Sequence, residues 1–147
     1  MTRVQAGNRA LQAASILLAL SAAGEIAVGA LAIVMPVAVV GILTAASIEG
    51  VAPMVARMAG VAIIALGIDW WRARSRLDVE GLRRVAPGFL AYNFGIGVLF
   101  LSRALEVAAH LTPWIVAIAH LAFGAVLVVL LAQLQASADP RKAQPAR

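Results

Sequence analysis

The chain has 147 residues, of which 63% are hydrophobic and 13% charged, and this balance excludes an ordinary soluble domain, in which about 25% of the residues are charged. The net charge of +5 comes from bases beside long apolar blocks, which indicates membrane topology and contact with anionic lipid and argues against nucleic-acid binding. Because cysteine is absent, thiol catalysis, disulfides and thiolate metal sites are excluded.

The first predicted helix covers residues 11–35 and contains a single acid, Glu25. At about 1.5 Å per residue it is long enough to cross a hydrocarbon core of about 30 Å. An acid at that depth costs roughly 2.5 to 3.5 kcal/mol, so Glu25 is expected to face protein rather than lipid. Small residues share its helical face and bulky residues occupy the opposite face: the small set is Ser21, Ala22, Gly29 and Ala32, and the bulky set is Ile16, Leu20, Leu31 and Val34.

A short apolar segment, residues 37–48, follows Pro36 and cannot span a membrane alone. One interpretation is that it continues the first helix beyond a kink at the proline. The other is that it lies at the membrane surface as an interfacial or re-entrant piece. The interfacial placement is the one that we predict for the fold.

Three further spanning helices are predicted at residues 53–71, 86–106 and 113–133. The fold class is therefore an all-α membrane protein, a four-transmembrane-helix bundle that forms one domain over residues 1–135. Residues 72–84 are predicted to form an arginine-rich loop, and residues 136–147 a polar, disordered tail. The tryptophans Trp70, Trp71 and Trp114 are expected at the membrane interface.

Basic residues predict the orientation of the bundle. With four spans, the N-terminal lead, residues 72–84 and the C-terminal tail all lie on one side, and these segments carry most of the arginines and lysines. The opposite side has only Arg57 and Arg103, both near helix ends. The positive-inside rule therefore predicts that both termini are cytoplasmic.

Four ionisable side chains are predicted to meet in the outer half of the bundle: Glu25, Arg57, Arg103 and His120. A carboxylate oxygen of Glu25 is expected within about 4 Å of a basic nitrogen from another helix, as a structural clasp or as a ligand-binding site. One alternative is that Arg103 pairs with Glu106 on its own helix and that Arg57 reaches lipid headgroups. Another is that a protonated Glu25 only hydrogen-bonds Ser21 or a backbone carbonyl.

Tyr92 and Asn93 lie in the cytoplasmic third of the third predicted span and are expected to make polar contacts between helices. The sequence contains no glycine-rich phosphate loop, HExxH motif or GxSxG motif. The two histidines, His110 and His120, lie on different elements and no third metal ligand is evident. Neither a catalytic residue nor a metal site is predicted, which favours a protein that is not an enzyme.

Several segments together resemble a known group of proteins. They are GEIAVGALAIVMP (24–36), ARMAGVAIIALGIDWW (56–71), LAYNFGIGVLFL (90–101) and a fourth helix with a central His120. This pattern resembles small four-helix bacterial inner-membrane proteins of the broad DoxX-like type. The resemblance implies a multi-pass protein of the bacterial cytoplasmic membrane. Because some members of that group are linked to quinone-dependent sulfur oxidation, it also raises a quinone as a cofactor.

Three functional hypotheses follow. The first is a structural or accessory protein, acting as a subunit of a membrane complex or as a homo-oligomer within the lipid bilayer. The second is a binder or carrier of a small apolar or quinone-like molecule, with Glu25 and His120 lining a pocket in the outer leaflet. The third is a proton-linked transporter or redox subunit, for which four short helices give little room unless the protein dimerises.

Overall fold

Five α-helices are found in the computed structural model, which describes residues 3–75 and 77–138. They are α1 (Arg3–Val34), α2 (Pro36–Thr44), α3 (Ala52–Arg74), α4 (Val79–Glu106) and α5 (Leu111–Ala138). All but α2 are long and apolar enough to cross a membrane. The predicted all-α, four-span class is therefore confirmed.

The helices extend further than predicted at the end of the bundle where α1 begins and α5 ends, which we call the arginine end. There, α4 begins at Val79, because Oδ1 of Asp78 accepts a hydrogen bond of 2.6 Å from the Gly81 amide and caps the helix. The prediction of a loop over residues 72–84 was therefore wrong: only a short connection around Leu77 separates α3 from α4. Hydropathy marks where a helix leaves the apolar layer, not where its backbone hydrogen bonds stop.

The last helix also runs past its predicted end. Because α5 continues to Ala138, residues 136–138 of the predicted polar tail are helical. The remainder of that tail, residues 139–147, lies outside the described residues. At the other terminus α1 includes part of the N-terminal lead and begins at Arg3 rather than at residue 11.

The segment after the first span forms a separate helix. The backbone leaves the helical conformation at Met35, and Pro36 takes the first position of α2, where its missing N–H costs nothing. Ala45 then ends α2 in the left-handed conformation, with φ of 55°. Because α2 contacts all four long helices, it covers one end of the bundle, which we call the α2 end.

Glycines set the closest approach between helices. α1 packs chiefly against α3, and α4 against α5. A Cβ atom built on Gly29 would lie 2.6 Å from the carbonyl oxygen of Gly60, and one built on Gly60 would lie 2.6 Å from that of Gly29. In the second pair, the ring of Phe94 lies against Gly124. Small residues thus allow the backbones to meet, which is how membrane helices associate without a hydrophobic driving force.

The core is concentrated toward the arginine end, where α1, α3, α4 and α5 all contribute side chains. Its members include Leu18, Trp70, Leu82, Phe89 and Leu127. Trp70 is only 3% exposed, with the rings of Phe89 and Tyr92 at 4.8 and 5.4 Å between centroids. Trp70 therefore packs in the core and does not present its ring to the surroundings as an anchor would, whereas Trp71 is 44% exposed and packs under the Arg74 guanidinium.

Candidate functional site

Glu25 faces the interior of the bundle, as its helix face predicted. The residue is 8% exposed, and its small neighbours Ser21 and Ala22 are buried with it. The bulky opposite face of α1 is open to the surroundings, with at least half of each side chain exposed: Ile16, Leu20, Leu31 and Val34. The acid therefore faces the other helices rather than the surroundings, as expected for an ionisable group in a membrane span.

Two side chains from other helices approach the carboxyl group of Glu25. The Tyr92 hydroxyl, from α4, donates a hydrogen bond of 2.7 Å to Oε2. His120, from α5, places its Nε2 atom 3.9 Å from Oε1. This second distance lies just inside the 4 Å predicted for a basic nitrogen, but it is too long for a direct hydrogen bond. Glu25 thus accepts a hydrogen bond from Tyr92 on Oε2, whereas Oε1 lies near His120 without a direct hydrogen bond to it.

Asn93 fixes the orientation of His120. Its Oδ1 atom lies 3.0 Å from Nδ1 of the imidazole, and its Nδ2 amide donates 2.9 Å to the Phe89 carbonyl one turn back on α4. Asn93 is 1% exposed, so both contacts are made in the protein interior. The asparagine joins α4 to α5 and aims the other ring nitrogen of His120 toward Glu25.

The two arginines do not reach Glu25. Arg57 donates from Nε to the Ile33 carbonyl at 3.0 Å, near the end of α1. Arg103 donates from Nε to the Thr44 carbonyl at 2.7 Å, at the end of α2, and from its Nη1 to Glu106 at 2.8 Å. The structure therefore leaves both out of the predicted Glu25 cluster. The physical reason is that the last carbonyls of a helix lack partners within the helix and attract cations.

Tyr92 lies deeper in the bundle than the sequence suggested. Because α4 begins at Val79 and ends at Glu106, Tyr92 lies midway along it rather than in its cytoplasmic third. That position brings its hydroxyl level with Glu25. The one sequence signal that marks the true start of α4 is Asp78, an acid with N-cap character before the helix.

A cavity of about 340 Å³ opens beside these polar groups. Most of its wall is apolar and comes from all five helices: Val28, Leu43, Ile63, Ile96, Phe100, Ile115, Val116 and Phe123. Its polar lining is Ser21, Glu25, Tyr92 and His120. We call this cavity the Glu25 pocket. Leu43 of α2 forms part of its wall, so the helix that covers the end of the bundle also helps to enclose the pocket.

The chemistry available in the Glu25 pocket is that of hydrogen bonding and proton exchange. A carboxyl group and an imidazole can each exchange a proton and a phenol can donate a hydrogen bond, and all three lie within one connected set of contacts. Over residues 3–75 and 77–138, no three His, Asp or Glu side chains converge in a way that would hold a metal ion. The pocket thus offers a polar end and a long apolar body, which suits an organic molecule.

Comparison with known proteins adds no relative from which a function can be carried over. No family model, no curated protein and no solved structure matches the chain. The case for a function therefore depends on the geometry of the Glu25 pocket.

Proposed function

We propose that this protein binds a small, mainly apolar molecule with one oxygen-bearing polar end, such as a quinone-like compound, inside the membrane. The observation that carries the proposal is the Glu25 pocket: an apolar cavity whose one polar end is formed by Glu25, Tyr92 and His120. Ligand sites characteristically combine an apolar wall with a few convergent polar groups. A polar cluster that served only to hold the helices together would not require the cavity that lies beside it.

The size of the pocket supports a ligand larger than water. A volume of about 340 Å³ lies within the range of small-molecule sites, roughly 300 to 1,000 Å³. The walls are formed by residues such as Ile63, Ile96 and Phe100, which offer no hydrogen bonds to water. Tyr92 lies midway along α4 and Glu25 lies past the midpoint of α1, so a ligand would place its polar end inside the bundle and its apolar body toward α2.

Replacing Glu25 by glutamine tests the proposal. We expect the Glu25→Gln variant to fold, because the glutamine carbonyl still accepts the Tyr92 hydrogen bond. It should bind a polar-ended apolar probe about tenfold more weakly or worse, since a charge-capable acceptor is lost. Binding is measured as the excess of 4-hexylphenol, or of a short-chain benzoquinone, held by protein-loaded nanodiscs over empty ones.

The matched control is Glu80→Gln, which changes an exposed acid on α4 that pairs with Arg84 one turn further along the same helix. It should leave probe affinity and thermal stability unchanged. If neither probe binds the wild-type protein in a saturable way, the proposed function is wrong. If Glu25→Gln lowers stability but not affinity, the polar cluster serves as a clasp alone.

An accessory role is the second candidate, supported by a separate surface. A shallow apolar depression on the outside of α1 and α3 is lined by Ala23, Ile26, Ala27, Ala30, Ile68 and Trp71. Small residues there would let a helix of another subunit, or of a second copy, approach closely. Protein that stays monomeric in mild detergent, with no partner retained, would count against this role.

The charge distribution supports a location in the bacterial cytoplasmic membrane with the arginine end in the cytoplasm. Because the chain has no cysteine, single-cysteine variants report topology without background. In intact cells, a membrane-impermeant maleimide should label Glu49→Cys, in the connection between α2 and α3. It should label Ser75→Cys, at the end of α3, only after permeabilisation. The reverse pattern would overturn the orientation.

A further inference from the structure

The polar end of the Glu25 pocket contains a hydroxyl group that the protein does not use. Ser21 is 3% exposed, and no protein group within residues 3–75 and 77–138 hydrogen-bonds its Oγ atom. Buried polar atoms of this kind normally have a partner. Ser21 lines the pocket one helical turn before Glu25, on the same face of α1. Because the Oγ atom itself is shielded in this conformation, the Ser21 side chain must rotate to meet a polar group on whatever occupies the pocket.

The hydrogen-bond chain through Asn93 determines what His120 presents to the pocket. Asn93 donates from Nδ2 to the Phe89 carbonyl, so its Oδ1 atom is the one that faces the imidazole. An amide oxygen only accepts, and Nδ1 of His120 must therefore be the protonated donor. In the neutral ring, Nε2 then carries a lone pair and faces Oε1 of Glu25.

The distance between these two atoms suits one bridging oxygen. Nε2 of His120 and Oε1 of Glu25 are 3.9 Å apart, too far for a direct hydrogen bond. An oxygen atom in the pocket can lie about 2.8 Å from both at once. The other carboxyl oxygen is already bonded to Tyr92, which leaves Oε1 as the atom that a ligand would meet.

On the basis of the proposed function, we propose that the ligand is bound through a hydroxyl group, as an alcohol, a phenol or the reduced quinol form of a quinone-like compound, in preference to a ketone, ester or ether. When Glu25 and His120 share one proton, a bridging hydroxyl bonds to both. It donates to the carboxylate and accepts from the imidazolium, or it accepts from the carboxylic acid and donates to the imidazole. A carbonyl or ether oxygen only accepts, so it makes one of these bonds and leaves the other group unpaired.

The test compares two probes of nearly the same shape, 4-hexylphenol and its methyl ether 4-hexylanisole. Affinity is the excess bound by protein-loaded nanodiscs over empty ones, which corrects for the stronger partitioning of the ether into lipid. The wild-type protein should bind the phenol about tenfold more tightly than the ether. This comparison depends on no variant and therefore on no variant's folding.

Two variants then locate the preference. His120→Phe removes one side of the bridge while keeping an aromatic ring, and the ratio of phenol to ether affinity should fall to about threefold or less. Ser21→Ala should weaken phenol binding by about fivefold. Thermal unfolding of each variant is measured in parallel to show that the bundle is intact.

The outcomes separate the two proposals. Saturable binding of both probes with equal affinity, or tighter binding of the ether, would overturn the hydroxyl preference while leaving the ligand-binding function in place. Saturable binding of neither probe would overturn the function itself, and the preference with it. A wild-type preference that persists unchanged in His120→Phe would show that the bridge is not its source.

Discussion

Replacing Gly60 by valine is expected to separate α1 from α3 and to lower the free energy of unfolding by about 3 kcal/mol or more. A Cβ atom on Gly60 would lie 2.6 Å from the Gly29 carbonyl oxygen, 3.1 Å from Cγ1 of Ile33 and 3.2 Å from Cβ of Ala32. A side chain could turn aside, but a backbone oxygen moves only if the whole of α1 moves. The crossing must therefore open.

The measurement is thermal unfolding in mild detergent, followed by tryptophan fluorescence. A loss of about 3 kcal/mol corresponds to a fall of roughly 10 °C in Tm for a chain of this size. Gly95→Val is the matched control, because a Cβ atom at Gly95 meets nothing within 4 Å. It should change stability by less than about 1 kcal/mol. Equal effects at the two glycines would show that the α1–α3 contact does not limit stability.

Much of the fold can be predicted because the bilayer imposes simple rules on sequence. A run of about 20 apolar residues has few alternatives to a spanning helix, and the helical spacing of small and bulky residues on α1 separates its packed face from its exposed face. The burial of Glu25 and the exposure of Leu20 follow from that spacing. Hydropathy and the spacing of small residues do not locate the helix ends, which depend on caps such as Asp78.

The contact between Tyr92 and Glu25 could not be predicted from the helix bounds. At the α2 end, α1 and α4 end within a residue of their predicted ends, but how the two helices are staggered, and so whether the tyrosine hydroxyl reaches the acid, is known only from the structure. The arginines were misplaced for a different reason. Sequence shows that Arg57 and Arg103 need an anion or an acceptor, but only the structure shows that both donate to carbonyls at helix ends, and that Arg103 also pairs with Glu106.

The cavity itself could not be predicted from sequence. Its walls come from five helices, and its volume depends on how far α1 stands from α4 and α5, which no pattern in one sequence reports. The short helix α2 was open to two interpretations, because an apolar segment of that length does not reveal what it covers. Its contacts with all four spans, and Leu43 in the pocket wall, give it a role that hydropathy alone does not suggest.

Filling the pocket from Gly24 should abolish ligand binding without unfolding the protein. Gly24 lines the Glu25 pocket, and a Cβ atom built there meets nothing within 4 Å, so a larger side chain can be added without moving the backbone. We expect Gly24→Phe to bind 4-hexylphenol and 4-hexylanisole at least about a hundredfold more weakly, since the ring takes the space that their apolar bodies need. The Tm should stay within a few degrees of wild type.

Gly95→Phe is the control, because it adds the same ring at an equally open glycine that does not line the pocket. It should leave both affinities unchanged.

Gly24→Phe and Glu25→Gln are expected to differ in how they change the affinities for the two probes. Loss of the carboxylate should weaken a polar-ended probe while the ether is affected less, because only the polar end is altered. Loss of the space should remove both probes alike. If Gly24→Phe binds both probes as well as wild type does, the ligand lies elsewhere, and the polar cluster of Glu25, Tyr92 and His120 only holds the helices together.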